Sequence, residues 1–279
     1  MNFFEYLKQK EIDAPREYAR LKSLFFDEKI YLDGYIGYED TLSGYLAEKF
    51  RKFPYRNTFV QMEEVCDVIE HSTQNRDIGV QQLLWFCEFS YTFLSYATYN
   101  DHDLSSEERA QIDLILENIN CICEKSGAEI YEIEKKKYII VSKNSAATHA
   151  CELIGNPETA KRIIQYNHYA LRGHLQEKRA ILNDLANYVE PILKARTLQN
   201  AGYKQLESDA GFMLNCFHIR HNNKEGAKAQ EYIAKISDVD LEELYDKTYT
   251  VCLSIIITCE QIKISKEIDS LKNEYKWKT

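Results

Sequence analysis

Only 14 of the 279 residues are glycine or proline, and that scarcity of chain breakers constrains the fold more than any other feature. Glycine and proline are the residues that most readily stop a helix. With few of them, and with 20 Tyr and 12 Phe to fill interiors, the chain is expected to form long helices packed through aromatic seams. Hydrophobic residues make up 44%, enough for a real core and unlike a disordered composition. The length permits one large domain or two smaller ones.

Helical periodicity dominates the first half. Apolar and aromatic positions recur at helical spacing over 14–35, with Pro15 suited to a first turn. A second helix is expected over 38–52, stopping before Pro54, and a third over 61–71. Residues 77–97, DIGVQQLLWFCEFSYTFLSYA, are apolar nearly all round and predict a buried central helix. Ser105 and Glu108 fit a capping box, with Leu104 as its staple, for a helix over 106–125 that ends at Ser126-Gly127. The period then changes. AEIYEIEKKKYIIVSK, 128–143, reads as a short β-hairpin turning at EKKK and set against helices.

Cap signals resume beyond the hairpin. Asn144 precedes SAATHACELI, and Asn156-Pro157-Glu158 combines a cap, a first-turn proline and a first-turn carboxylate. That helix is expected to carry Ile163, Ile164, Tyr166 and Tyr169 toward Gly173. Further helices are expected from His174 to Ala195, over about 203–222, and over about 239–264. The expected fold is therefore all-α in the main. An acidic helical domain spans 1–127, the β-hairpin 128–143 marks the junction, and a second helical bundle occupies 144–279.

Charge narrows the choice of partners. The net charge is -9, which disfavours indiscriminate binding to nucleic acid or anionic membrane. Residues 1–135 carry 14 basic and 26 acidic side chains, whereas residues 158–235 carry 12 basic and 8 acidic. Any polyanion site belongs in the second stretch. The first 18 residues have no apolar signal core, and VCLSIIITC at 251–259 is too short to span a bilayer. A cytoplasmic protein without membrane partners is expected, its eight cysteines kept as thiols.

Familiar catalytic and metal patterns are missing. GxGxxG, GxxxxGK[ST] and GxSxG do not occur. Cys121 and Cys123 form a lone CxC pair. His149 with Cys151, and Cys216 with His218, are two residues apart and face away from each other on a helix. Neither metal nor organic cofactor is called for. His168 and His174 flank Arg172 near Gly173 and are expected to act independently. Glu242, Glu243 and Asp246 are explained by the electrostatics of a helix start.

One stretch stands apart. Residues 215–223, NCFHIRHNN, crowd two histidines, an arginine and three asparagines into nine positions. If the helix continues through it, Asn215, His218 and Asn222 fall near one face, with Arg220 and His221 beside that stripe. These residue types suit metal-free RNA cleavage. Arg220 neutralises a phosphate, His221 acts as acid or base, and Asn215, His218, Asn222 and Asn223 orient the substrate. The competing expectation is a structural network in which Arg220 pairs with Asp246 or Glu242 and ties the helix end to the bundle.

The second half also resembles the HEPN superfamily of helical bundles, whose signature is an arginine followed by a polar residue and a histidine near the end of an inner helix. Arg220 matches the family arginine, and His221 or Asn222 its polar neighbour. Met213-Leu214 and Asn215 resemble the lead-in helix, HLQEKRAIL the helix before it and LEELYDKTY, 241–249, the helix after it. The resemblance covers about 145–265. It implies a metal-independent endoribonuclease or an RNA-binding descendant in prokaryotic phage defence, with RNA as ligand and with a protein partner or a homodimer. The positions of the family's following histidine hold Glu225, Gly226 and Ala227, so the signature is incomplete. The alternative is a non-enzymatic helical scaffold or regulatory protein-binding module.

Overall fold

In a computed structural model, residues 11–31, 39–73, 77–99, 104 and 106–275 are described. The chain divides into two compact units, Met1–Lys143 and Asn144–Thr279. Both are mainly helical, and among the described residues no helix is long and apolar enough to cross a membrane.

Among the described residues, the first helix of the first unit is α1, Ala14–Phe26, whose first turn is capped by the Asp13 carboxylate accepting the Arg16 N–H at 3.2 Å. The helix expected over 14–35 ends at Phe26. Strand β1, Lys29–Tyr31, follows and pairs antiparallel with β2, Glu39–Thr41. The helix expected over 38–52 is correspondingly broken into α2, Leu42–Tyr45, and α3, Ala47–Lys52. Local side chains set the later start at Leu42. The Asp40 carboxylate accepts the Thr41 N–H at 2.7 Å, and the Thr41 hydroxyl accepts the Gly44 N–H at 3.2 Å. These bonds hold Thr41 extended as a cap where a continuous helix needs helical backbone. A Cβ at Gly44 would lie 2.3 Å from the Asp40 carboxylate, so a larger residue there has to displace that side chain.

Helices α4, Glu63–His71, α5, Val80–Tyr99, and α6, Ser106–Lys125, are the remaining helices among the described residues of this unit. Ser105, the proposed cap of α6, lies outside the described residues. Its staple candidate Leu104 is buried. As its apolar circumference demands, α5 is central, burying Leu83, Leu84, Phe86, Cys87, Phe93 and Leu94. Phe53 packs on it through rings 5.9 Å from Phe89 and 5.3 Å from Phe93.

Strands β3, Ala128–Glu134, and β4, Lys137–Ser142, form the expected hairpin, with Ile130 opposite Ile140. It belongs to the first unit and docks on α5. The Thr92 hydroxyl donates to the Tyr138 carbonyl at 3.3 Å and accepts the Tyr138 N–H at 3.2 Å, while Glu88 accepts the Ile140 N–H at 2.7 Å. A lone hairpin is marginal in water, and these bonds with the apolar face of β4 secure it.

The second unit starts with α7, Ser145–Leu153, capped by Asn144, and α8, Pro157–Tyr166, capped by Asn156 through the Glu158 and Thr159 N–H groups. The helix stops at Tyr166, short of Tyr169, which begins a separate 3-10 turn. Next come α9, Leu175–Lys194, α10, Thr197–Asn200, and α11, Lys204–Cys216. Short α12, Glu231–Lys235, leads into α13, Asp238–Glu274. Their shared core contains Ile163, Leu182, Leu185, Val189, Leu214, Ile219, Tyr245 and Cys252.

Candidate functional site

The helix expected to run to 222 ends at Cys216. His218 has φ 59°, the left-handed conformation that commonly terminates helices and that histidine tolerates better than most side chains. The chain then folds back, and the Arg220 N–H reaches the Leu214 carbonyl at 3.2 Å. Asn215, His218 and Asn222 therefore do not share a helical face. Asn215 lies within α11, and its amide donates to the Gly211 carbonyl at 2.7 Å. Asn222 organises the next turn by accepting the Lys224 and Glu225 N–H groups, both at 3.3 Å.

His218 and Asn223, both buried, close the loop by a reciprocal pair of bonds. The His218 N–H donates to Asn223 Oδ1 at 3.0 Å, and the Asn223 N–H donates to His218 Nδ1 at 3.1 Å. An Nδ1 that accepts carries no proton, so the ring is the neutral Nε2–H tautomer. Burial, reinforced by the nearby positive charges of Arg179 and Lys224, holds the His218 pKa below its ordinary value. Arg179 on α9 reaches the loop backbone from outside, donating to the carbonyls of Ile219 at 3.3 Å and His221 at 3.4 Å. Between them Ile219 is fully buried. The stretch is thus a closed loop pinned by a buried side chain at its centre.

Arg220 points elsewhere than either expected partner. Its Nη2 lies 2.7 Å from Glu190 of α9, both side chains 25% exposed. Glu190 also holds Lys194 at 3.0 Å. Arg220 first, then Lys194, keeps the Glu190 carboxyl below the usual range. His221 is partly exposed beside this pair in sequence.

Glu242 and Asp246 of α13 are engaged by Lys178 of α9. Its ammonium lies 2.8 Å from Glu242 and 2.7 Å from Asp246, with a side chain only 7% exposed, and 5.1 Å from the centre of the Tyr166 ring. Tyr166 donates its hydroxyl to Asp246 at 2.8 Å and stacks on Tyr249 at 4.1 Å. Glu242 also accepts the Gly173 N–H at 3.0 Å. Burial raises the Glu242 pKa, but Lys178 and the Gly173 N–H outweigh it and the net direction is downward. Two of the three carboxylates assigned to helix-start electrostatics are therefore half of a tertiary ion cluster. Only Glu243 keeps a purely local role, paired with Lys247 at 2.7 Å.

Arg179, Glu190 and Lys178 were missed by sequence reasoning. A signal was present: Arg179 and Glu190 stand eleven residues apart, about three helical turns, and so share one face of α9. Their partners lie 30 or more residues away, beyond the reach of local pattern.

The remaining candidates have local roles. His168 Nδ1 accepts the Ala170 N–H at 3.2 Å, and His174 precedes α9 with Nδ1 3.8 Å from Glu177. All eight cysteines are free thiols. Burial pushes Cys123 and Cys252 up to about 12, as expected of thiols that fill cores and do not react. Among the described residues no three His, Cys, Asp or Glu side chains converge as a metal site requires. The chain matches no protein-family model, no curated protein and no solved structure.

Proposed function

We propose that this chain is a non-catalytic helical module that binds another protein, and that residues 215–223 close its second bundle. The observation that carries this reading is the use of His218 Nδ1 as the acceptor for the buried Asn223 N–H. That nitrogen, which the ribonuclease reading needs to orient substrate, serves a ligand only if the loop opens. The ion pair of Arg220 with Glu190 at 2.7 Å supports the same reading, since the guanidinium already has a carboxylate partner with which a phosphate has to compete. Protein binding is supported by large apolar side chains left in water on this unit, among them Phe212, Tyr232 and Val239.

One observation favours the HEPN-like ribonuclease reading. Arg220 stays one-quarter exposed beside partly exposed His221, so RNA could reach both at the surface. Under that reading Arg220 contacts phosphate, His221 transfers the proton, and the protein acts in phage defence.

The two readings separate when the purified full chain is incubated with labelled tRNA and single-stranded RNA in EDTA, beside Arg220→Ala and His221→Ala. The binding-module reading expects RNA to survive equally in all three. Cleavage by the parent that disappears in both variants overturns it.

A further inference from the structure

Helix α13 outruns its bundle. Its 37 residues extend about 55 Å at 1.5 Å per residue, and from Lys263 to Tyr275 every residue is exposed. A stretch this short, standing alone in water, is marginally helical. Its exposed side chains are not uniformly polar. Ile264, Ile268, Leu271 and Tyr275 are between 45% and 80% exposed, and they are spaced by four, three and four residues. That is the heptad spacing of a coiled-coil seam. Half-buried Ile257 falls on the same face one heptad earlier.

This seam is offset from the centre of the face that α13 turns to its own bundle. Tyr245, Tyr249, Cys252 and Ile256 line the core face. At 3.6 residues per turn, the face defined by Ile264, Ile268, Leu271 and Tyr275 is centred roughly 100° from it. The bundle covers this direction as far as Leu253, and beyond Ile262 the apolar stripe is left uncovered.

The charges beside the seam select its occupant. With Ile264 and Leu271 at d positions and Ile268 and Tyr275 at a positions, Glu260, Glu267 and Glu274 all fall at g, and Ser265 and Lys272 at e. In a parallel pair of such helices each g residue faces the e residue five positions further along the other helix. Glu267 then meets Lys272 of the second copy, twice by symmetry. An antiparallel pair instead sets the glutamate row against itself.

We propose that residues 257–275 form a parallel two-stranded coiled coil with the same segment of a second copy of this chain. This deepens the binding-module reading by naming one partner, and it uses no feature of residues 215–223. The seam is short, so the dimer dissociates on dilution.

The test is sedimentation equilibrium of the full chain across a wide concentration range. The apparent mass is expected to rise from 32.7 kDa toward twice that value. Ile268→Asp with Leu271→Asp is expected to leave a monomer with unchanged near-ultraviolet circular dichroism. Glu267→Lys or Lys272→Glu alone weakens the dimer by roughly three- to ten-fold, and the two together restore it. A mass fixed at one chain up to the solubility limit overturns the proposal, as it does if the tail packs within its own chain. A dimer indifferent to the apolar pair overturns it, and so does a charge swap without rescue. A monomeric result leaves the outcome of the RNA assay on residues 215–223 unaffected, and RNA cleavage leaves the sedimentation result unaffected.

Discussion

The backbone N–H of Asn223 donates to Nδ1 of His218 at 3.1 Å, while Asn223 Oδ1 accepts the backbone N–H of His218 at 3.0 Å. This reciprocal bond fixes a left-handed residue at the end of α11 and makes the protonation state of one histidine part of the fold. Protonated Nδ1 cannot accept, so the bond exists only with the neutral ring. Because the folded-state pKa of His218 is depressed, the unfolded chain binds more protons below the ordinary histidine value of about 6.5. The contribution of His218 is complete above that pH and is lost as pH falls toward the folded pKa. Urea unfolding from pH 8 to pH 5 should show stability declining below about 6.5, with a smaller decline in His218→Ala. Equal slopes for both would rule out His218 as the cause.

The same residue separates backbone strain from lost hydrogen bonding. His218→Ala removes the acceptor for a buried N–H and keeps a Cβ-bearing residue at φ 59°. A loss of ~1–3 kcal/mol is expected at neutral pH. His218→Gly loses the same acceptor but relieves the left-handed strain, and should recover about 1 kcal/mol relative to alanine. Denaturation midpoints that place glycine below alanine would contradict the strain argument.

Lys178 is the most deeply buried charge of the ion cluster. Lys178→Met keeps most of the side-chain volume but leaves Glu242 and Asp246 facing each other beside Tyr166. Breaking a buried ion pair from one side costs ~3–5 kcal/mol. Asp246 is half in water, so the lower part of that range is expected. Asp246→Asn should cost clearly less. The check is the urea midpoint of each variant, and a Lys178→Met protein as stable as the parent would mean that the cluster is dispensable.

For Arg220 and Glu190, both at the water's edge, the expected signature is coupling. Arg220→Gln and Glu190→Gln should each lower the melting temperature slightly, and the double variant should fall no further than the worse single one. High salt should shrink all three differences. Additive losses in the thermal melts would show that the two side chains act separately.

In the first unit, Thr92→Val preserves shape while removing the hydroxyl that serves both backbone groups of Tyr138. A loss of ~1 kcal/mol is expected. The local sign should be faster amide exchange at Tyr138, with exchange in the central part of α5 unchanged. Unchanged exchange at Tyr138 would mean that the apolar face of β4 docks the hairpin unaided.

The elements legible in the sequence are those built by near neighbours. Asn144 and Asn156-Pro157 mark helix starts because a cap and its N–H partners lie within three residues. Residues 106–125 are periodic enough to predict their helix, and the switch to alternating β-branched and aromatic residues at 128 announces the hairpin. Tertiary structure decided what depended on distant partners. No short-range pattern announces the end of α11 at Cys216, since the stop is a left-handed histidine whose loop is closed by Asn223 and held by Arg179 from α9. Lys178 engages Glu242 and Asp246, and Arg220 is left to Glu190, because helix packing sets which charges come within 3 Å. Residue type could nominate the groups around 215–223. Only the fold could assign their partners, because an ion pair or a buried hydrogen bond depends on where two remote backbones bring their side chains.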